Sequence, residues 1–315
     1  MQNDQPVIAT RNLTKRFGDF VAVNGVDFDV RRGEIFGFLG PNGAGKTTTI
    51  RMMLGLLRPT DGTVSVLGVP MAEHPERIRP RIGYMAQRFS LYDDLTILQN
   101  LRFYGRAYGL DDDVLRERIQ NAIHAAGLEG REHTHTKDLS GGWRQRLALN
   151  AAILHQPELI FLDEPTAGVD PVSRRAFWNL LYRLVTDGGT VFVTTHYMDE
   201  AEHCHRLAFI QHGQLIAYGT PEEIKRDKMR GQVLEIDCTQ PDVAMNVLRQ
   251  MGAFEDVALY GTQIHAVTKD AASSRPRIAQ ALAEAGVQVR AIDVVAPSLE
   301  DVFISSVRNH VNGEE

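Results

Sequence analysis

Cysteine is scarce in this chain of 315 residues: Cys204 and Cys238 are the only two, in no metal-like spacing. That speaks against a disulfide-stapled fold and sets a reducing compartment as the expectation. Long apolar runs are missing as well. None approaches the roughly 18–20 residues needed to span a bilayer, so any membrane role must come through a partner. The polar start, Met1-Gln2-Asn3-Asp4-Gln5-Pro6, carries no signal-peptide pattern, which makes a cytoplasmic location the expectation. A surplus of positive charge is also absent. Net charge is −6, with 28 Lys and Arg against 28 Asp and Glu in residues 1–230, but 6 against 12 in residues 231–315. Such a balance gives no electrostatic case for a nucleic-acid partner. What the chain does have is length and 43% hydrophobic content, enough for two domains with real cores.

The most informative stretch is Gly40-Pro41-Asn42-Gly43-Ala44-Gly45-Lys46-Thr47-Thr48. It follows the apolar run Ile35–Leu39 and leads into a helical pattern from Ile50 to Leu54. This order of strand, glycine loop and helix matches the Walker A template G-x-x-x-x-G-K-[ST]. The glycines let backbone N–H groups close around phosphate oxygens, and the helix N-terminus adds partial positive charge. Lys46 can reach the β- and γ-phosphates, and the Thr47 hydroxyl can ligate Mg²⁺.

A second stretch, Leu159-Ile160-Phe161-Leu162-Asp163-Glu164, reads as a buried parallel strand delivering two carboxylates at its C-terminal end. Asp163 suits Mg²⁺ through its water shell, and Glu164 suits activation of an attacking water. Their neighbouring positions on one strand send the two side chains to opposite sides. Gln87, at the end of a predicted strand from Ile82, can bond a metal-bound water or a γ-phosphate, or be a surface glutamine. His196 closes the predicted strand that starts at Gly189 and could bond a γ-phosphate. Ser140-Gly141-Gly142 opens a helix, either as a second anion-binding end or as a simple capping turn. Phe17, just beyond a first strand over Val7–Leu13, is either a core residue or a platform for an adenine ring. His133 and His135 have no third ligand in view, so no metal site is expected there.

Residues 95–156 read as mostly helix, with Leu98, Leu101, Phe103, Val114, Leu115, Ile119 and Ile123 as the apolar positions. Beyond Tyr218 a charged stretch, 223–230, reads as a linker, its run from Lys225 to Arg230 as solvated linker or helix end. Residues 231–315 then show a βαββαβ order, with strands at 232–238, 254–260, 262–268 and 287–294, as a ferredoxin-like α+β domain does. An amphipathic helix carrying Leu299, Val302, Phe303 and Val307 follows. No catalytic constellation stands out in this half.

Together these motifs resemble the nucleotide-binding domain of an ABC ATPase, over about residues 6–222. The resemblance implies a P-loop α/β fold with a mixed-sheet core and a helical subdomain over about 88–157. It implies ATP and Mg²⁺ as cofactors, with Gly40, Pro41, Asn42, Gly43, Ala44, Gly45, Lys46, Thr47 and Thr48 on the phosphates and Phe17 stacked on adenine. Thr47, Gln87 and Asp163 would serve the metal, and Glu164, His196, Gln87 and Lys46 the hydrolysis. Leu139–Gly142 is similar to the family signature, so Ser140, Gly141 and Gly142 would face the ATP of a second subunit, with Asp170 in the neighbouring D-loop. The signature usually reads LSGGQ, and Trp143 departs from it. The implied assembly is a dimer, with itself or with a homologous subunit, on a separate membrane permease. Residues after Gln87, namely Arg88, Phe89, Leu91 and Tyr92, would meet that permease or pack the helical subdomain.

The ending Pro297-Ser298-Leu299-Glu300-Asp301-Val302-Phe303 is similar to that of ATPase subunits of type-2 ABC exporters for drugs or lipids. That makes export from the cytoplasmic face the expectation. Soluble ABC proteins of ribosomes or DNA carry two such domains or a long coiled-coil insert, and sugar importers carry a different regulatory tail. In a nucleotide titration Lys46→Ala should lose binding or hydrolysis, whereas Phe17→Ala should weaken ATP affinity by about 1 kcal/mol. Normal affinity in Phe17→Ala would remove the stacking role.

Overall fold

The computed structural model describes residues 5–87, 91–229 and 231–312, with side chains to residue 305. It divides into two compact units between Tyr218 and Gly219. In the first unit β1 (Ile8–Phe17), β2 (Phe20–Val30) and β3 (Ile35–Leu39) precede α1 (Lys46–Met53). Then come β4 (Asp61–Val66), β5 (Val69–Pro70) and β6 (Ile82–Met85), and the helices α2 (Ile97–Ala107), α3 (Asp112–Ala126) and α4 (Gly141–Ala152). The chain returns through β7 (Leu159–Asp163), α5 (Pro171–Thr186), β8 (Thr190–Thr195), α6 (Met198–Ala201), β9 (Arg206–Gln211) and β10 (Gln214–Gly219).

Two sheets form the unit. One is antiparallel, in the order β2-β1-β4-β5. The other runs β10-β9-β3-β8-β7-β6, with β9, β3, β8, β7 and β6 parallel. Sequence explains the difference. The strands β3, β7, β8 and β9 are buried at every position, as a parallel sheet covered on both faces requires. In β1 and β2 burial is interrupted by exposed residues. Phe28 of the antiparallel sheet meets Phe36 and Phe38 at ring-centroid distances of 5.5 and 5.4 Å, and Phe192 joins them at 5.7 and 5.6 Å. Aromatic pairs in such geometry add about 0.5–1.5 kcal/mol each beyond the area they bury. This core fixes the level at which β3, β7 and β8 end, and all three end beside one another.

The helical stretch begins on a capping box in which Thr96 and Gln99 satisfy each other's backbone N–H groups. Leu101, Leu115, Ile119 and Ile123 are buried, while Phe103 and Val114 face outward at 44% and 43% exposure. Arg88 and Phe89 lie outside the described residues. Leu91 is buried, and Tyr92 is exposed with its ring edge-on to Phe103.

The second unit contains α7 (Pro221–Lys228), β11 (Gln232–Cys238), α8 (Pro241–Gln250), β12 (Asp256–Tyr260), β13 (Gln263–Thr268), α9 (Ala271–Glu284), β14 (Val289–Val295) and α10 (Leu299–Asn312). Its antiparallel sheet has the order β12-β13-β11-β14, the arrangement of a ferredoxin-like fold. Leu234, Ile236, Ile264 and Ala266 on one face pack with Ala244, Leu248, Ile278 and Leu282 of α8 and α9.

Two expectations need correction here. The stretch 223–230, expected as a linker, lies mostly in α7. Thr220 and Glu223 form a capping box at its start and Ile224 is buried, so the charged residues occupy only its outer side. The first strand runs on past Leu13 to Phe17, because β1 keeps pairing with β2 through irregular steps. Val307 lies outside the residues whose side chains are described, while Leu299 and Val302 are buried as the amphipathic pattern implies.

Sequence reading also missed a buried charge cluster in this unit. His265 of β13 lies 2.8 Å from Asp301 of α10 through Nδ1 and 3.4 Å from Glu235 of β11 through Nε2, with Tyr260 of β12 stacked on its ring. Burial alone would push the His265 imidazolium down, but the hydrogen bonds and charges of Asp301 and Glu235 outweigh it and hold its pKa above the ordinary value. Burial likewise raises the Asp301 carboxyl, and hydrogen bonds from His265 and Ser298 overcome this and leave it lowered. The His265 contribution to stability is full below the ordinary imidazole pKa and is lost as pH rises through the raised one. The Asp301 contribution is present above the ordinary carboxyl value and is lost as pH falls through the depressed one. The cluster is therefore strongest between about pH 4 and about pH 6.5. Calorimetry of the full chain should show Asp301→Asn lowering the unfolding temperature most in that window and flattening its decline toward alkaline pH. An unchanged profile would mean the cluster contributes nothing.

Candidate functional site

Gly40 directly follows β3, and a Cβ there would lie 2.2 Å from the Ile210 carbonyl oxygen. Gly45, at φ +109°, would put a Cβ 2.5 Å from the Ala22 carbonyl oxygen. Backbone on both sides therefore holds the loop in the one path that leads into α1. Lys46 is buried, and its Nζ donates to the carbonyl oxygens of Gly40 and Pro41 at 2.7 and 3.1 Å. The same amine pairs with Glu164 Oε1 at 2.9 Å. Taken out of water, the two charges keep their stability only because each compensates the other.

Asp163 ends β7, and its carboxylate is held on both oxygens. Thr47 donates to Oδ2 at 2.9 Å and Thr194 donates to Oδ1 at 2.7 Å. Glu164 is not on the strand, contrary to the expectation that two strand residues diverge. It lies one residue beyond β7 in left-handed backbone, φ +48°, with its N–H bonded to the Thr194 carbonyl at 3.1 Å and hydroxyl at 2.9 Å. The turn toward Pro165 is what separates the two acid side chains. Gln87, two residues past β6, donates to Glu164 Oε2 at 3.1 Å. His196 Nδ1 lies 3.2 Å from the same oxygen without the alignment of a hydrogen bond. The His196 ring packs on Tyr197 at 4.2 Å, and the Arg174 guanidinium covers Tyr197 at 4.3 Å.

The structure thus gathers Lys46, Thr47, Asp163, Glu164, Gln87 and His196. It does not join Phe17, Ser140, Gly141, Gly142 or Asp170 to them by any hydrogen bond or ion pair among the described residues. Phe17 is 50% exposed beside Phe20, with the Lys15 amine 5.2 Å from its ring centre, which removes the core alternative. Ser140 precedes α4 exposed and without a side-chain cap bond. Gly142 is buried, and a Cβ there would come 2.4 Å from Ser173 Oγ, on the helix whose N-terminus Asp170 caps by accepting from Ser173 N–H at 2.9 Å. Trp143 lies under the Arg146 guanidinium at 4.0 Å, with Arg131 at 5.4 Å.

Three participants escaped the sequence reading. Gln145 donates to the Pro165 carbonyl, tying α4 to the residue after Glu164. Buried Glu200 accepts from Thr166 and meets Arg174. Thr194 touches both acids. The only hint of it was a Thr194-Thr195 pair ending a strand whose middle, Val191–Val193, is apolar.

A phosphate chain with a hard divalent cation fits this arrangement. The loop is a cradle that a Cβ at Gly40 or Gly45 would deform, and Thr47 Oγ1 and Asp163 Oδ2 form an adjacent oxygen pair. Among the described residues no group of three His, Cys, Asp or Glu gathers as a metal site. Mg²⁺ suits such a place, because it takes few protein ligands and completes its shell with phosphate oxygens and water.

Residues 23–167 match the family model described as ABC transporter, and residues 219–307 that of the ATP-binding protein DrrA1-3-like C-terminal domain. A Nod factor export ATP-binding protein I from Cupriavidus pinatubonensis is 36% identical over 300 residues, 95% of this chain and 90% of the relative. The chain belongs to the family of ABC transporter ATP-binding proteins. A second relative, the probable multidrug ABC transporter ATP-binding protein YbhF of Escherichia coli, is 48% identical over 241 residues. That match covers 76% of this chain but only 40% of YbhF, so the chain spans less than half of that protein's length. Among solved structures, an ATP-binding subunit of an ABC transporter aligns with TM-score 0.64 and 30% identity, over 70% of this chain and 92% of that one. Another, cbiO1 from Clostridium perfringens, part of the ABC transporter complex cbiONQ, gives 0.65 and 28%, over 72% and 92%. The first unit is accordingly an ABC-type ATP-binding domain.

Close backbone contact at two glycines, and not at a third, yields a graded outcome. Gly43 is also left-handed, but a Cβ there meets nothing within 4 Å. Gly40→Ala and Gly45→Ala should each weaken binding of a fluorescent ATP analogue roughly tenfold or more, and Gly43→Ala clearly less, since strain of this kind costs on the order of 1–3 kcal/mol. Equal effects at all three positions would show that backbone contact does not govern the loop.

Proposed function

We propose that this chain is the ATP-hydrolysing subunit of an ABC exporter, working as a dimer on a separate membrane permease. The observation that carries the hydrolytic part is the convergence of Lys46, Gln87 and His196 on the one carboxylate of Glu164, beside the Thr47–Asp163 pair. Glu164 is the general base: it takes a proton from the attacking water, which Gln87 and His196 orient from its Oε2 side. For that to happen Lys46 releases Oε1 and turns its charge to the β- and γ-phosphates. Thr47 and Asp163 hold Mg²⁺, which when bound neutralises charge on the phosphates. His196 bonds the γ-phosphate, and Phe17 offers an open ring face to adenine. The remaining loop residues from Gly40 to Thr48 supply backbone donors.

Ser140, Gly141 and Gly142 stand apart from the Lys46 group within one chain, with an uncommitted hydroxyl at a helix start. In a dimer, with itself or a homologous subunit, they complete the ATP site of the second copy, with Asp170 in the loop alongside. The export assignment draws on relatives named for multidrug and Nod factor export and on the DrrA-like second unit. No described helix is long and apolar enough to cross a membrane; in this reading the subunit works with a separate permease, at its cytoplasmic face. The balanced charge of residues 1–230 gives no electrostatic case for a nucleic-acid partner.

Glu164→Gln keeps the shape and a hydrogen-bonding group and removes the proton acceptor. Nucleotide binding should persist, the ATP-bound dimer should accumulate in light scattering, and single-turnover hydrolysis should slow by roughly 10²–10⁴-fold, the usual scale for general-base loss. A near wild-type rate constant would assign water activation to another group.

A further inference from the structure

We propose that Thr194 is a positioning residue that sets both acids of the site, holding the Asp163 carboxylate in the orientation that presents one oxygen to the metal. The inference rests on the reading of Asp163 as metal organiser given above. Thr194 lies on β8 directly opposite Asp163 of β7 and is fully buried. A threonine hydroxyl has one proton to give and lone pairs to accept with. Both capacities are used on site residues: it donates to Asp163 Oδ1 at 2.7 Å and accepts from Glu164 N–H at 2.9 Å. The Leu162 carbonyl, at 3.5 Å, is too distant to compete for the proton.

With Oδ1 occupied, the Asp163 carboxylate cannot rotate freely, and Oδ2 stays 2.9 Å from the Thr47 hydroxyl. The same hydroxyl helps pin Glu164 in its left-handed conformation. Simple strand packing does not account for this residue. Val191, Phe192 and Val193 fill the same buried strand without a polar atom, whereas Thr190 and Thr195 accept from the backbone N–H groups of Gly33 and Tyr197; a valine would fit the backbone of Thr194 equally well. A hydroxyl here costs desolvation unless it is bonded, and its bonds go to the two acids. Two residues further along the same backbone is His196, so one strand end sets three groups of the site.

The test compares Thr194→Val with Thr194→Ser in equilibrium binding of a fluorescent ATP analogue, with Mg²⁺ and with EDTA. Thr194→Val should bind the analogue in EDTA like wild type, while its apparent affinity for Mg²⁺ falls about 10–100-fold, the usual cost of removing a group that orients a metal ligand. Thr194→Ser should behave as wild type. Should the valine variant fail to fold, Thr194→Ala removes the same hydroxyl and carries the same expectation. Full Mg²⁺ dependence in a folded variant without the hydroxyl would overturn the role of Thr194, as would an equal defect in Thr194→Ser. Wild-type binding that is indifferent to Mg²⁺ would overturn the reading of Asp163 itself, and this inference with it.

Discussion

The register of three parallel strands is the constraint on which the rest depends. Leu39 of β3 lies opposite Thr195 of β8, and Asp163 of β7 lies opposite Thr194. The glycine loop, the acid pair and His196 therefore leave the sheet at one level. A slip of one residue in β7 would turn Asp163 to the other face and leave Thr47 facing a leucine. The phenylalanine cluster between the two sheets makes such a slip costly, since Phe161 would be pulled from its contact with Phe192, 5.7 Å away between ring centroids. Hydrophobic packing far from the phosphates thus holds the register of the polar atoms.

Much of this was legible in the sequence, and the parts that were not share a cause. Gly40–Thr48 could be read because backbone geometry leaves glycine few substitutes at Gly40 and Gly45. The sheet of the second unit could be read because its apolar runs come in a βαββαβ order with turns between them. Glu164 could be named but not placed, since a left-handed residue just past a strand has the same letters as one within it. The charged outer side of α7 left linker and helix end both open, with a single buried isoleucine to decide for the helix. His265 and Asp301 are separated by 36 positions, and nothing local marks either as the other's partner. Thr194 was hidden in plain view, because threonine is an ordinary strand former and only its partners distinguish it.

The two units manage buried charge differently. In the first, Lys46 and Glu164 are a buried pair whose components both have other work in the mechanism proposed above, where ligand chemistry would exchange their mutual bond. In the second, His265 has carboxylates on two sides and an aromatic ring on its face, an arrangement that serves the attachment of α10 to its own sheet. Burial of charge is costly in both cases and is met by pairing, but only the first pair adjoins the glycine loop proposed to hold phosphate.

Trp143 takes the place of a glutamine and stands three residues after Ser140, beneath two guanidinium groups. The other tryptophan, Trp178, is sealed in the core at 2% exposure. Indole emission responds to nearby charge and to water, so the two rings are spectroscopically unequal: one is shielded from solvent, the other is partly exposed beneath Arg146 and Arg131. If a second subunit meets Ser140 as proposed above, the residue that breaks the family pattern is an intrinsic optical reporter of that approach, in place before any label is attached.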